Sequence, residues 1–180
     1  MISSRTNARV KQLRAAFAGQ VRLSGGLVAV EGEHLVDEAV RSGIPLTTVF
    51  VSEGWQRRVP QGVEVVRLKE DVFRSAVETQ APQGIAALLA PPVFGLSDVL
   101  GSRGSAALIL VAAGLQDPGN LGTLVRSAEA FGATGVLTLP GTVSVWNQKA
   151  LRASVGSVFR VPVVGVGASE LRELKAGVCS

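Results

Sequence analysis

Apolar positions in residues 3–18 recur at helical spacing, with Val10, Leu13 and Phe17 on one side and basic residues on the other. Residues 26–30 read as a strand that runs into Glu31-Gly32-Glu33. Helical spacing returns over 34–41 through Leu35, Val36, Ala39 and Val40. Residues 46–51 and 63–67 have strand character, 69–77 a helical pattern, and 84–90 strand character again. The alternation stops near residue 90, where Pro91-Pro92 and the Gly-Ser-Arg-Gly-Ser run at 101–105 flank a short, weakly apolar segment. A second alternation follows: strand 107–113, helix 120–131, strand 135–139, helix 147–155, strand 161–166 and helix 168–174. Residues 177–180 read as the start of another strand. Strands alternating with helices predict a mainly parallel sheet in this second block. The fold class is α/β, with a small domain at 1–92, a linker at 93–105 and a second domain at 106–180.

Composition narrows the function classes. With 180 residues, 47% of them hydrophobic, the chain can bury a core. Apolar runs such as 106–113 are too short to cross a bilayer, and the N-terminal segment has no apolar stretch of signal-peptide type. The single cysteine, Cys179, excludes an internal disulfide and fits a reducing compartment, so the cytoplasm is the expected location. Net charge is +4 and the pI about 10.0. Arg5, Arg9, Lys11, Arg14 and Arg22 all precede the first acid, Glu31. A field of one sign attracts phosphate, although a solvated basic helix face would carry the same pattern. The absence of tyrosine and the 4% aromatic content argue against base stacking as the main mode of nucleic-acid recognition.

The segment richest in chemistry is LQDPGNLGTLVRSAEAFGATGV, residues 115–136. Asp117-Pro118-Gly119-Asn120 is a turn at a strand's carboxyl end, which places Asn120 as a helix N-cap. At about 100° per residue, Leu121, Leu124, Val125, Ala128 and Phe131 share one face, and Asn120, Thr123, Arg126 and Ser127 the other. Ligands of open α/β sheets bind at the carboxyl ends of strands, so a site belongs here. An ordinary amphipathic helix with a polar outer face would read the same way. Other chemistries find no support. GNLG lacks the third glycine and the following acid of a dinucleotide site, and there is no P-loop. One histidine and one cysteine make no metal-ligand cluster. His34 has no nucleophile motif near it and reads as a surface or half-buried helix residue.

LQDPGNLGTLVRSAEAFGA closely resembles the first motif of the SpoU (TrmH-like) class of SPOUT RNA ribose 2′-O-methyltransferases, and KALRASVGSVFRVPV (149–163) resembles the start of that family's second motif. SRTNARVKQLR, VEGEHLVDEAV and TQAPQGIAALL resemble the ribosomal-protein-like substrate-binding domain that often precedes it. The resemblance implies that the second domain is a parallel-sheet methyltransferase domain of the α/β-knot type. It implies S-adenosylmethionine as methyl donor, ribosomal or transfer RNA as partner, a homodimer, and no metal or membrane. The family's asparagine and arginine fall on Asn120 and Arg126 as catalytic residues. Ser154 falls near the substrate and Gly156 near the cofactor, while Gln83 and Gly84 match a structural turn. Arg5, Arg9, Lys11 and Arg14 are the candidate RNA contacts in the front domain.

The family's third motif has no counterpart in these 180 residues. Since its loops supply most of the cofactor pocket and much of the dimer interface, the chain alone is expected to bind cofactor poorly and to be inactive. Ala112-Ala113 stands where relatives often carry an acid. Two competing readings remain at this point: a non-catalytic RNA-binding module related to these enzymes, and a generic nucleotide-binding α/β enzyme, which the missing phosphate loop disfavours.

Overall fold

In the computed structural model, which describes residues 1–20, 24–101 and 106–178, the first helix, α1 (Ala8–Phe17), starts later than its apolar spacing suggests. Asn7 is the reason. Its side-chain oxygen accepts the Arg9 backbone N–H at 2.9 Å, which caps the helix there. The residues before it do other work: Ile2 bridges to Leu68, with its N–H donating to the Arg67 carbonyl at 2.8 Å.

The chain divides into two compact units, Met1–Pro92 and Val93–Ser180. In the first, β1 (Val28–Glu31), α2 (Glu33–Arg41), β2 (Leu46–Ser52), β3 (Glu64–Leu68), α3 (Glu70–Ala76) and β4 (Ile85–Leu89) follow α1. The sheet order is β1-β4-β2-β3, antiparallel except for the β2–β3 pair. All five residues of β4 are buried, as befits a strand covered on both faces. On one face Ala86 and Leu88 join Val10, Leu13 and Phe17 of α1, Phe50 of β2 and Val72 and Phe73 of α3 in one core. α2 packs on β1 and β4 through Leu35, Val36 and Ala39, leaving Val40 47% exposed. His34 is exposed on the same helix.

The Gln83-Gly84 turn ties this unit together. The Gln83 side-chain oxygen accepts the Glu33 N–H at 3.1 Å, and the Gln83 N–H donates to the Glu31 carboxylate at 2.6 Å. One residue thus caps α2, whose N-cap is a glycine with no side chain to do so. Gly84 has a φ of +88°, and a Cβ there would lie 2.8 Å from the Ser52 hydroxyl. Gly84→Ala is therefore expected to cost this unit about 1–2 kcal/mol from the left-handed backbone alone, read as an earlier melting transition. An unchanged melt would show that the turn relaxes freely.

The second unit runs α4 (Leu96–Leu100), β5 (Ile109–Ala112), α5 (Pro118–Ala130), β6 (Gly135–Thr138), α6 (Gln148–Ser154), a 3₁₀ turn (Ser157–Phe159), β7 (Val163–Gly165) and α7 (Ala168–Val178). Its three strands are all parallel in the order β5-β6-β7. Val99 of α4, Leu137 of β6 and Val166 form the core on one face, flanked by Leu171 and Leu174 of α7. Residues 96–100, inside the expected linker, are thus helical and packed. Gly135 lets α4 approach, because a Cβ there would meet Val99 at 2.8 Å.

The end of the chain departs from expectation. Residues 177 and 178 continue α7 and do not start a strand. Val178 is apolar and β-branched, but it extends an amphipathic run that began at Ala168, and helix propagation costs little once nucleated. Arg22, residues 102–105, Cys179 and Ser180 lie outside the described residues. Among the described residues no helix is long and apolar enough to cross a membrane, and no group of His, Cys, Asp and Glu has the arrangement of a metal site.

Candidate active site

The loop after β5 leads directly into α5, and the helix opens earlier than the turn chemistry suggests. Asp117 is the N-cap, and Asn120 is not. Pro118 supplies the reason: its fixed φ suits the first helical position, where its missing N–H costs nothing. Asp117 Oδ1 accepts the Asn120 backbone N–H at 2.8 Å, and Oδ2 accepts from Lys149 Nζ of α6 at 2.7 Å. Released from capping, the Asn120 side chain lies on the exposed side.

α5 and α6 touch at Gly122, where an added Cβ would stand 2.2 Å from the Ala150 carbonyl oxygen and 2.8 Å from the Ala153 Cβ. Leu121, Val125 and Ala128 of α5 are buried. Phe131, expected on that buried face, is 80% exposed. It is the C-cap, and Gly132 then turns the chain left-handed toward β6, so its side chain lies beyond the helix–sheet contact. The helix groove opens as a shallow depression lined by Asp117, Gly119, Asn120, Thr123, Lys149, Arg152 and Ala153. Arg126 is exposed further along α5. Neither its side chain nor that of Arg152 has a hydrogen-bond or ion-pair partner among the described residues.

Further along, the Glu129 carboxylate accepts from Arg160 at 2.5 and 3.1 Å, pinning α5 to the segment after the 3₁₀ turn. Between α6 and that turn the backbone reverses through Val155 (φ +53°) and Gly156 (φ +89°). Val155 is the one non-glycine residue with positive φ among those described, a strain of about 1–2 kcal/mol for an L-residue.

Residues 7–87 match the MRM3-like substrate binding domain, and residues 107–177 match the SpoU rRNA Methylase family. The crystal structure of an RNA 2′-O ribose methyltransferase superposes on 98% of this chain and 69% of its own length, with a TM-score of 0.79 at 31% identity. The chain belongs to the SpoU rRNA methylase family. It is also 36% identical over 167 residues to the 23S rRNA (guanosine(2553)-2'-O)-methyltransferase RlmP of Bacillus subtilis (strain 168), covering 91% of this chain and 64% of RlmP. The SpoU methyltransferase AviRb of Streptomyces viridochromogenes, solved in complex with the cofactor AdoMet, is 26% identical. It covers 95% of this chain and 68% of its own, with a TM-score of 0.79. The chain thus spans 64% of the length of RlmP.

Within this SpoU chain, Asn120 and Arg126 sit exposed on one helix, as their spacing requires. Ser154 does not reach the surface: it is fully buried and its hydroxyl donates to the Leu151 carbonyl at 2.8 Å. That bond to a carbonyl in the preceding turn is a local one typical of serine near a helix end. Gly156 is buried too, in the left-handed turn. In the first unit all four basic candidates are exposed. Arg5 pairs with Asp71 at 3.2 Å, Arg9 with Glu64 at 2.8 Å, and Arg14 donates to the Ser75 carbonyl at 3.3 Å. Lys11 has no such partner among the described residues.

Sequence reasoning missed Lys149 and Arg152, which carry the other charges of the depression. They lie three apart on α6, hence on one face, and that spacing was the available signal. It also gave Glu129 no part, because its partner is 31 residues away.

Two carboxylates here respond to acid. The Lys149 ammonium, then the Asn120 N–H, hold Asp117 below the usual carboxylate range. Arg160 does the same for Glu129, against a burial that pushes it up. A carboxyl whose folded pKa is depressed contributes stability above its unfolded pKa and loses it as pH falls through the folded value. The second unit should therefore melt earlier as pH falls below about 4, and Glu129→Gln should flatten that dependence. A variant with the slope of the parent would show that the pair contributes nothing.

Proposed function

We propose that this chain is the front part of an S-adenosylmethionine-dependent RNA ribose 2′-O-methyltransferase acting on ribosomal or transfer RNA, with Asn120 and Arg126 as its catalytic residues. Family membership supports the reaction class. The observation that carries the assignment is the unpartnered, exposed guanidinium of Arg126 on the helix that follows the carboxyl end of β5. A ribose 2′-hydroxyl is a weak nucleophile until its proton begins to leave. A guanidinium keeps its own proton, so it does not serve as the base. Its use is electrostatic: Arg126 stabilises the developing alkoxide or grips the adjoining phosphate, and Asn120 orients the ribose.

S-adenosylmethionine, when bound, supplies an electrophilic sulfonium methyl group. The residues at the carboxyl ends of β5 and β6 fit its nucleoside half. Gly114 (φ +63°) and Gly141 (φ +85°) lie close together, and a Cβ on Gly141 would come 3.7 Å from the Gly114 Cα. Main chain is therefore left bare there beside the apolar Leu139 and Pro140. Ser154 and Gly156, being buried, would shape the site through the Val155 reversal and not by direct contact.

In this reading residues 1–92 bind RNA and 106–180, with the helix at 96–100 packed on their sheet, begin the methyltransferase domain. Arg5, Arg9, Lys11 and Arg14 then hold RNA phosphates, which position a substrate without reading its sequence. The complete enzyme is a homodimer working in the cytoplasm, where ribosomal and transfer RNA are at hand. Calorimetric titration of S-adenosylmethionine into the chain, beside a version extended through the third family motif, tests this. Cofactor binding and methyl transfer to ribosomal RNA by the extended version are expected. RNA binding without either would mean a non-catalytic module.

A further inference from the structure

The depression between α5 and α6 holds three charges close to Asn120, and they are not equivalent. Lys149 and Asp117 neutralise one another at 2.7 Å, and the other Asp117 oxygen is held by the Asn120 N–H. That pair is braced by the helix cap, so the Lys149 charge is spent on Asp117. Arg152 is left over. It is exposed, its side chain has no partner among the described residues, and it lines the same depression as Asn120 and Thr123. The Gly122 contact fixes α6 against α5, so the position of Arg152 relative to Asn120 is set by backbone packing, not by a loop.

The exposed Arg152 guanidinium keeps all of its N–H donors available to a ligand, on a wall otherwise made of small and neutral groups and a paired charge. Its planar fork matches a phosphodiester, with two parallel N–H donors to two oxygens. We infer that Arg152 is a substrate-positioning residue that binds an RNA backbone phosphate next to the target ribose, while Lys149 organises the cap. This rests on the RNA methyltransferase reading above and adds to it a residue of defined role. Arg126 and Arg152 then divide the work: one acts on the reacting oxygen, the other on the phosphate that brings the oxygen into place.

The test is fluorescence anisotropy with a labelled single-stranded RNA 20-mer, titrated with the 180-residue chain at several salt concentrations. Arg152→Ala should weaken binding about tenfold and lower the slope of log K against log salt by about 0.7, the contribution of one phosphate contact on a single strand. Arg152→Lys should restore the slope but not the full affinity, which loss of fold would not do. Arg74→Ala, on α3 and paired with Glu70, should leave both unchanged. In the extended enzyme Arg152→Ala should raise the KM for RNA and leave kcat within about twofold. Equal affinity and slope for Arg152→Ala and the parent would overturn the inference while leaving the methyltransferase reading intact. A parent chain that binds no RNA, with an extended version that transfers no methyl, would sink both.

Discussion

Replacing Arg126 by alanine in the extended enzyme is expected to lower methyl transfer by about 10²–10³-fold, the loss seen when one preorganised donor is removed from a developing negative charge. Affinity for S-adenosylmethionine should stay the same, because Arg126 lies on the exposed side of α5 and is assigned to the ribose oxygen or its phosphate. Arg126→Lys should recover part of the rate, since it keeps the charge but loses the fork. Single-turnover assays at saturating RNA separate the chemical step from binding. Near-normal turnover of the alanine variant would remove Arg126 from the reaction. The residue's structural surroundings favour a clean result: it has no partner to orphan among the described residues, so the fold should survive its loss.

The other large effect is on stability, and its sign discriminates between two rules. Glycine to alanine inside a helix normally stabilises by about 1 kcal/mol. At Gly122 the new Cβ would lie 2.2 Å from the Ala150 carbonyl oxygen and 3.0 Å from its carbon. Both are backbone atoms of a packed helix, so no side-chain rotation relieves the clash. Overpacking of this kind costs about 1–3 kcal/mol or more, and here it should win. Gly122→Ala is expected to destabilise the second unit by roughly 2 kcal/mol net of propensity, and Gly122→Val by more. Urea melting followed by the fluorescence of Trp146, in the second unit, would read it, whereas Trp55 reports the first. An alanine variant at least as stable as the parent would mean that α5 and α6 slide apart freely, and that the depression holding Arg152 is not rigid.

Much of this was legible along the chain because hydrophobic period is a local property. The strands and helices of both units fall close to where alternation and helical spacing put them, since each must bury one face whatever its neighbours are. Apart from the helix at 96–100 inside the expected linker and the strand expected from residue 177, where the last helix continues, the errors sit where an element ends. The start of α1 was set by Asn7, and that of α5 by Asp117 with Pro118. A cap is chosen by which side chain reaches an N–H, which several candidates in a row can do on paper. Phe131 was misplaced for a related reason: the helical wheel continues past the last residue that still faces the sheet.

The long SpoU motifs made the family readable, and they put Asn120 and Arg126 six apart on a helix the pattern already required. What tertiary structure alone decided is which charges are free. Sequence lists Arg5, Arg9, Arg14, Lys149, Arg152 and Arg160 as equal cations. Folding pairs Arg5 with Asp71, Arg9 with Glu64, Lys149 with Asp117 and Arg160 with Glu129, across separations that no local rule connects. Burial of Ser154 was likewise decided by packing. By itself the sequence determined the fold class, the family and the helix on which the proposed catalytic residues lie, because period and motif are written in consecutive residues. Pairing and exposure were left to the structure, because they depend on which distant segments the packed helices and sheets bring within a hydrogen bond of each other.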